Sequence, residues 1–155
     1  MTIQRMDNVL IVVDDLDAVI SFFVELGMEL QGRGPIEGRW VDRVIGVDDV
    51  RQDIAMLRTP DGHGRIELAT FHSPKAGDGI PADAPTNTLG IRRIMFAVDD
   101  IEETVARLRA QGAELVGELV RYRHEDGDPG VDDSFRLCYV RGPEGIIVGL
   151  AEQVG

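Results

Sequence analysis

Histidine and cysteine, the residues best suited to acid–base or nucleophilic chemistry near neutral pH, are few in this sequence. His63 lies in a predicted turn and His124 in an acidic loop, where a lone histidine is typically solvated. His72 directly follows Phe71 at the end of a predicted strand, and we expect it to line a binding pocket. Cys138 is the only cysteine, so the chain can form neither an internal disulfide nor a thiolate zinc cluster.

Clustered aspartates and glycines do not complete a known ligand-binding motif. The aspartates of segment 126–133 lack the spacing and the closing glutamate of a calcium loop, so we expect a solvated loop or a lid there. Gly77–Ala82 resembles part of a dinucleotide fingerprint. No predicted strand precedes it, and Pro81 prevents the helix that should follow, so we expect no nucleotide site.

A repeat within the chain determines which elements position the candidate residues. Asn8–Asp17 matches Arg93–Glu102, and at the same offset Leu26–Leu30 matches Gln111–Leu115. Each copy predicts a strand, an acidic turn, an amphipathic helix, a glycine stop and a second strand. Between the copies, residues 72–89 are rich in proline, alanine, glycine and aspartate, which is typical of a linker.

The two predicted helices have matching start and stop signals. Asp15 and Asp100 can cap the helix N-termini, and apolar residues recur behind each at helical spacing. Gly27 and Gly112 can adopt the left-handed conformation that ends a helix.

Two further strands are predicted in each half, separated by turns that contain proline and glycine. The four strands are about Asp53–Arg58, Arg65–Phe71, Ser134–Arg141 and Ile146–Glu152. Gly32–Gly38 and His124–Asp133 are predicted to be loops. We therefore expect a single domain, with one module at about 1–71 and a second at about 90–155.

Duplicated βαβββ modules resemble the vicinal oxygen chelate superfamily, which includes glyoxalase I, extradiol dioxygenases and bleomycin-resistance proteins. Besides the repeat, the segments Thr59–Leu68 and Gly142–Leu150 carry the resemblance. It implies an α+β fold in which tandem βαβββ modules form a curved mixed-sheet cup, with the helices outside.

In metal-dependent members of this superfamily, each module usually offers one ligand on its first strand and a carboxylate on its last. The resemblance places Asn8, Glu67, Arg93 and Gly149 at these positions. Only Glu67 is a good ligand, since arginine has no lone pair and would repel a cation. The resemblance therefore implies a degenerate metal site, and we expect no cofactor, with a divalent metal disfavoured.

Strand alternation predicts which residues face the cup, because residues two apart lie on the same side of a sheet. The expected ligand-binding residues, including the strand-end His72 and the loop residue Trp40, are Asn8, Leu10, Phe71, His72, Met95, Ile147 and Trp40. This face is mostly apolar with a few polar groups, as in small-molecule pockets. Trp40 could also fill a dimer interface, and simple packing is an equal alternative for it.

Two functions are consistent with these residues. One is a binding protein that sequesters a small organic or toxic compound, as bleomycin-resistance proteins do. The other is a glyoxalase-like lyase or isomerase, or a dioxygenase relative, with Glu67 as general base and Arg93 as an anion clamp. The resemblance further implies a homodimer.

Bulk properties limit the partners of the chain. Its formal net charge is -12, which opposes binding to nucleic acid and to anionic membranes. Its apolar runs are too short for a signal peptide or a membrane span. We expect a cytoplasmic protein whose partner is a small molecule.

Overall fold

Two compact units make up the chain, Met1–Gly79 and Ile80–Gly155. The computed structural model describes residues 2–123 and 134–154, so the predicted acidic loop lies outside the described residues. Each unit contains a mixed sheet and at least one helix, and the order of elements follows the βαβββ pattern. The predicted α+β class and tandem modules are confirmed.

The first unit contains a four-stranded sheet and two helices. Its elements are β1 (Val9–Val12), α1 (Leu16–Leu26), β2 (Glu29–Glu37), α2 (Arg39–Ile45), β3 (Arg51–Arg58) and β4 (Arg65–Ser73). The strand order is β1-β4-β3-β2; β1 is parallel to β4, and the remaining pairs are antiparallel.

The second unit contains a five-stranded sheet and one longer helix. Its elements are β5 (Ile94–Ala97), α3 (Ile101–Ala110), β6 (Glu114–Leu115), β7 (Val120–Arg123), β8 (Ser134–Arg141) and β9 (Ile147–Val154). The order is β5-β9-β8-β6, and β7 also pairs with β8, so β6 and β7 together replace one long strand.

Both long helices begin and end where the sequence predicts. The Asp15 carboxylate accepts a hydrogen bond from the Ala18 amide at 3.0 Å, and the Asp100 carboxylate accepts one from the Glu103 amide at 3.0 Å. Gly27 ends α1 with a φ of 124°. These contacts satisfy amide and carbonyl groups that a helix terminus leaves without partners.

The prediction of a loop at Gly32–Gly38 is wrong for most of that segment. Residues up to Glu37 belong to β2, which pairs with β3 along its length through a bulge between Leu30 and Gly32. As β2 is an edge strand of its sheet, Pro35 can be accommodated without losing a hydrogen bond to a second neighbour. The pairing with β3 therefore overrides the local turn signals.

Helix α2 was not predicted, and it leaves an apolar patch exposed. Only Val41 is buried on it, whereas the side chains of Trp40 and Val44 are 62% and 75% exposed. The helix ends at Gly46, which has the left-handed φ of 73°. The Asp42 carboxylate then accepts hydrogen bonds from the Asp49 and Val50 amides, which fixes the connection to β3.

The core of each unit lies between its long helix and one face of its sheet. In the first unit Phe23 of α1 and Leu57 and Leu68 of the sheet are fully buried. In the second unit Leu108 of α3 and Val140 of β8 are equally inaccessible. Within each unit the long helix packs on one side of the sheet, and apolar residues on the other side, such as Leu10 and Met95, are exposed.

In the second unit, the part of the predicted linker that begins at Ile80 packs against the sheet end. Arg141 donates hydrogen bonds to the carbonyls of Ala82 and Ala84, at 2.7 and 2.9 Å. Arg92 donates to the carbonyls of Ala84 and Pro85 at 3.0 Å each.

Among the residues that the structure describes, no helix is both long and apolar enough to cross a membrane.

Candidate functional site

The first sheet presents a largely apolar face on the side away from α1, here called the first open face. The strand register places Leu10, Glu67 and Met56 side by side on β1, β4 and β3. Val12 extends the face by one further row, opposite Ala69. Leu10 and Val12 are 51% and 45% exposed, so large apolar side chains are in contact with solvent.

Glu67 is the acidic group in the centre of this face. It is half-buried between Leu10 and Met56. Among the described residues of its own unit, its carboxylate has no hydrogen-bond or ion-pair partner. A half-buried carboxylate in this position is available to a ligand, as an acceptor or as a base.

The other candidates in the first unit are more scattered. Asn8 immediately precedes β1 and Phe71 lies on β4, and both are half-buried. Phe71 is on the same face as Glu67, as the alternation predicts. Trp40 lies on α2, and its indole ring approaches the backbone of Gly38.

His72 lies on the opposite face of β4 from Glu67. It is beside Asp53, whose strand partner Thr70 is three positions from Glu67. Its Nε2 lies 2.8 Å from an Asp53 carboxylate oxygen. It therefore does not share the first open face with Glu67 and Phe71, although the sequence analysis placed it in the same pocket.

His72 instead lines a polar cleft beside the start of α1. The cleft has a volume of about 420 Å³, and Arg33 forms an ion pair with Asp17 in it. Its lining residues are Asp14, Asp15, Leu16, Asp17, Arg33, Asp53, Thr70 and His72. The Arg33–Asp17 ion pair neutralises one of its acidic groups, and the Asp53 carboxylate is within hydrogen-bond distance of His72.

The second sheet has an equivalent open face, on the side away from α3. The register places Met95, Gly149 and Tyr139 side by side on β5, β9 and β8. Arg93 directly precedes β5 and is exposed, and its Nε donates a hydrogen bond of 2.6 Å to the Tyr139 hydroxyl. Its guanidinium carbon lies 5.4 Å from the centre of the Tyr139 ring.

The residues at the four expected ligand positions do not fit a divalent metal. A side chain at Gly149 would meet Met95, because a Cβ atom there would lie 2.6 Å from the Met95 sulfur. Arg93 at the other position of the second sheet is a cation without a lone pair. Among residues 2–123 and 134–154, no cluster of three His, Cys, Asp or Glu side chains could hold a metal ion.

Two further residues of the second unit are too buried to contact a ligand directly. Ile147, predicted to line the pocket, is only 3% exposed. Cys138 is 4% exposed on the α3 side of β8, and burial raises the pKa of its thiol. Burial therefore favours the neutral thiol, which is a poor nucleophile.

The sequence analysis missed Met56 on the first open face. For Tyr139 it left open a place at the cup, a dimer interface or simple packing, and did not include this residue among the ligand-binding ones. Met56 lies on β3 and Tyr139 on β8, the strands that precede the last strand of each module. Each is in register with a residue at an expected ligand position, Glu67 or Gly149. Alternation along β3 and β8 would have identified them, had the register of these strands been known. From the ligand positions that Glu67 and Arg93 occupy in the resemblance, we also predict that the two side chains lie close together in one cup and form an ion pair in the absence of ligand. This stays a prediction.

Comparison with known proteins identifies the family of this chain. Residues 5–146 match the family model described as the glyoxalase/bleomycin resistance protein/dioxygenase superfamily. No curated protein matches the chain.

Solved structures with the same fold cover nearly the whole chain. The crystal structure of a glyoxalase family protein from Bacillus cereus is 50% identical, with a TM-score of 0.90, and the match covers 100% of this chain and 97% of that one. A glyoxalase/dioxygenase from Nostoc punctiforme is 15% identical, with a TM-score of 0.65 and coverage of 99% and 94%. A glyoxalase family protein from Enterococcus faecalis is 22% identical, with a TM-score of 0.59 and coverage of 98% and 100%. The chain therefore belongs to the glyoxalase/bleomycin resistance protein/dioxygenase superfamily.

Proposed function

We propose that this protein binds a small organic molecule on its open sheet faces, without a divalent metal, and sequesters that compound. The observation that carries the proposal is the apolar and solvent-accessible character of these faces. Leu10, Val12 and Met95 are 51%, 45% and 38% exposed, whereas the apolar residues that alternate with them on β1 and β5 are half-buried. Apolar surface with a few polar groups, here Glu67, Arg93 and Tyr139, is typical of small-molecule sites.

The donor set supports binding without a metal. A metal held by Glu67 alone would have one strong protein ligand, whereas catalytic zinc sites have three. The Gly149 position is occupied by the Met95 side chain, and Arg93 adds positive charge. Binding energy would then come from burial of apolar surface and from hydrogen bonds to the polar groups.

A thermal-shift screen of small organic compounds and antibiotics, each with EDTA and with added divalent metals, tests this proposal. A true ligand at about 100 times its Kd is expected to raise the Tm by roughly 5–10 °C, equally in both conditions. Leu10→Ser should abolish the shift of any compound that binds the first open face, because it removes apolar surface there. Val24→Ser is the matched control, since Val24 is 45% exposed on α1.

The proposal fails if no compound stabilises the protein, or if stabilisation requires the metal. It also fails if elemental analysis of the purified protein finds about one Ni, Zn, Fe or Mn per chain that is lost in Glu67→Ala.

Enzymatic activity is the second candidate function. It is favoured by the Glu67 carboxylate, which has no hydrogen-bond or ion-pair partner among the described residues of its own unit. In this alternative Glu67 takes a proton from the substrate, and Arg93 stabilises the negative charge that develops. It further assumes that the two side chains converge in one cup. Turnover of a compound found in the screen, with loss of turnover but retained binding in Glu67→Gln, would favour a lyase, isomerase or dioxygenase relative over a sequestering protein.

We further expect a homodimer in solution. The exposed apolar patch of Trp40 and Val44 on α2, together with the edge strands of each sheet, supplies surface that association would protect. Light scattering at micromolar concentration should give about twice the chain mass of 17.0 kDa. Val44→Asp should lower that mass, whereas Val24→Asp on α1 should not. A monomeric wild-type protein would contradict the expectation.

A further inference from the structure

On the second open face, a row of three residues brings a methionine and a tyrosine close together. Gly149 lies between Met95 and Tyr139 in the sheet register. A Cβ atom at Gly149 would lie 2.6 Å from the Met95 sulfur and 3.4 Å from Cε1 of Tyr139. The missing side chain therefore allows Met95 and Tyr139 to approach each other across the central strand, β9.

Arg93 is held against this ring through one of its five N–H donors. Its Nε donates to the Tyr139 hydroxyl at 2.6 Å. The hydroxyl oxygen accepts this bond, so its own proton can be donated to another group. The two terminal nitrogens of Arg93 have no carboxylate partner among the described residues of the second unit.

Neighbouring arginines in this unit are used differently. Arg92 donates to the carbonyls of Ala84 and Pro85, and Arg141 donates to the carbonyls of Ala82 and Ala84. Both therefore fix the segment that precedes β5. Arg93 instead donates to a side-chain hydroxyl on the open face. This contact does not fix a backbone segment.

We propose that Arg93 and Tyr139 together bind the carboxylate of a small organic anion. The planar guanidinium can offer two parallel N–H groups to a carboxylate, and the phenol can donate a third hydrogen bond. Met95 and the face of the Tyr139 ring contact the apolar part of the same molecule. The inference rests on the proposed function, because it names the chemical class of the ligand for that site.

The formal net charge of -12 affects which ligands the Arg93–Tyr139 site can hold. The average field of the protein repels anions, so a carboxylate is held only where a fixed cation and directed donors outweigh that repulsion. A neutral molecule of the same shape would lose the charge-assisted hydrogen bonds and gain little from the remaining contacts.

The test uses benzoate as the probe and benzamide as its neutral counterpart, with the full chain. The methyl signal of Met95, assigned with Met95→Leu, reports binding by NMR in every variant. Benzoate should shift this signal saturably, and benzamide at equal concentration should not. Arg93→Gln should weaken benzoate binding at least roughly tenfold, since a charge-assisted contact is lost.

Tyr139→Phe separates the hydrogen bond from packing, because it keeps the ring beside Gly149 and removes only the hydroxyl. It should weaken benzoate binding severalfold. Arg109→Gln, on the exposed surface of α3, removes the same charge from the same unit and should leave binding unchanged.

The proposal is overturned if benzoate does not shift the Met95 signal, if benzamide binds equally well, or if Arg93→Gln keeps wild-type affinity. These results differ from failure of the proposed function. If benzoate binds saturably and this binding depends on Arg93, but no compound in the broad screen stabilises the protein, the carboxylate-binding site is supported and the sequestering role is not. Compounds that stabilise the wild type and Arg93→Gln equally would support the sequestering role alone.

Discussion

Replacing Phe23 with alanine is expected to lower the free energy of unfolding by about 3–5 kcal/mol. Phe23 is completely buried between α1 and the first sheet, and its ring contacts that of Phe22 edge-on, with the ring centres 5.2 Å apart. Alanine would remove most of the buried apolar surface at this point and leave a cavity. The measurement is urea unfolding followed by circular dichroism.

Val24→Ala is the matched control because Val24 is the next residue of the same helix and its side chain is 45% exposed. It should change the stability by less than about 0.5–1 kcal/mol. Similar losses in the two variants would mean that α1 is not anchored to the sheet through Phe23.

Replacing Gly145 with alanine should destabilise the protein by roughly 2–5 kcal/mol, from two separate causes. The first is conformational, since Gly145 has a φ of 78°, which strains any residue with a Cβ. The second is steric, because the new Cβ would lie 2.4 Å from the Ala82 carbonyl oxygen and 2.5 Å from its Cα. Backbone atoms cannot yield as a flexible side chain can, so the segment around Ala82 would have to move.

Gly62→Ala separates these causes, because Gly62 has the same φ of 78° and a Cβ added there would meet no atom within 4 Å. It should cost only the conformational part, about 1–2 kcal/mol. The difference between the two urea midpoints then measures how firmly the Ala82 segment packs against the second sheet. Equal losses would show that this segment moves away at no cost.

The two long helices, α1 and α3, were predictable because their signals are local. Asp15 and Asp100 lie directly before the apolar periodicity, and a side-chain cap requires only residues a turn apart. The closing glycine of α1, Gly27, has a positive φ for the same local reason. The order of residues along a short segment is sufficient to specify such features.

The extension of strand β2 through residues 32–37 and the existence of helix α2 were not predictable in the same way. Glycines and Pro35 in β2 favour turns locally, but pairing with β3 satisfies the backbone over the whole segment. The apolar residues of α2 fit no long periodic pattern, and Val41 alone is buried. In both segments the energy that decides the conformation comes from contacts with a neighbouring strand.

The sequence by itself determined the two modules, the caps and stops of their long helices, and the alternation that places Glu67 and Phe71 on one side of β4. It did not separate His72 from them. Tertiary structure decided what each side chain meets. Arg93 and Tyr139 are 46 positions apart and are brought together by the register of β5, β9 and β8. That register depends on burying one face of the sheet beneath α3, and a shift of one residue would reverse every side chain. No local pattern specifies it.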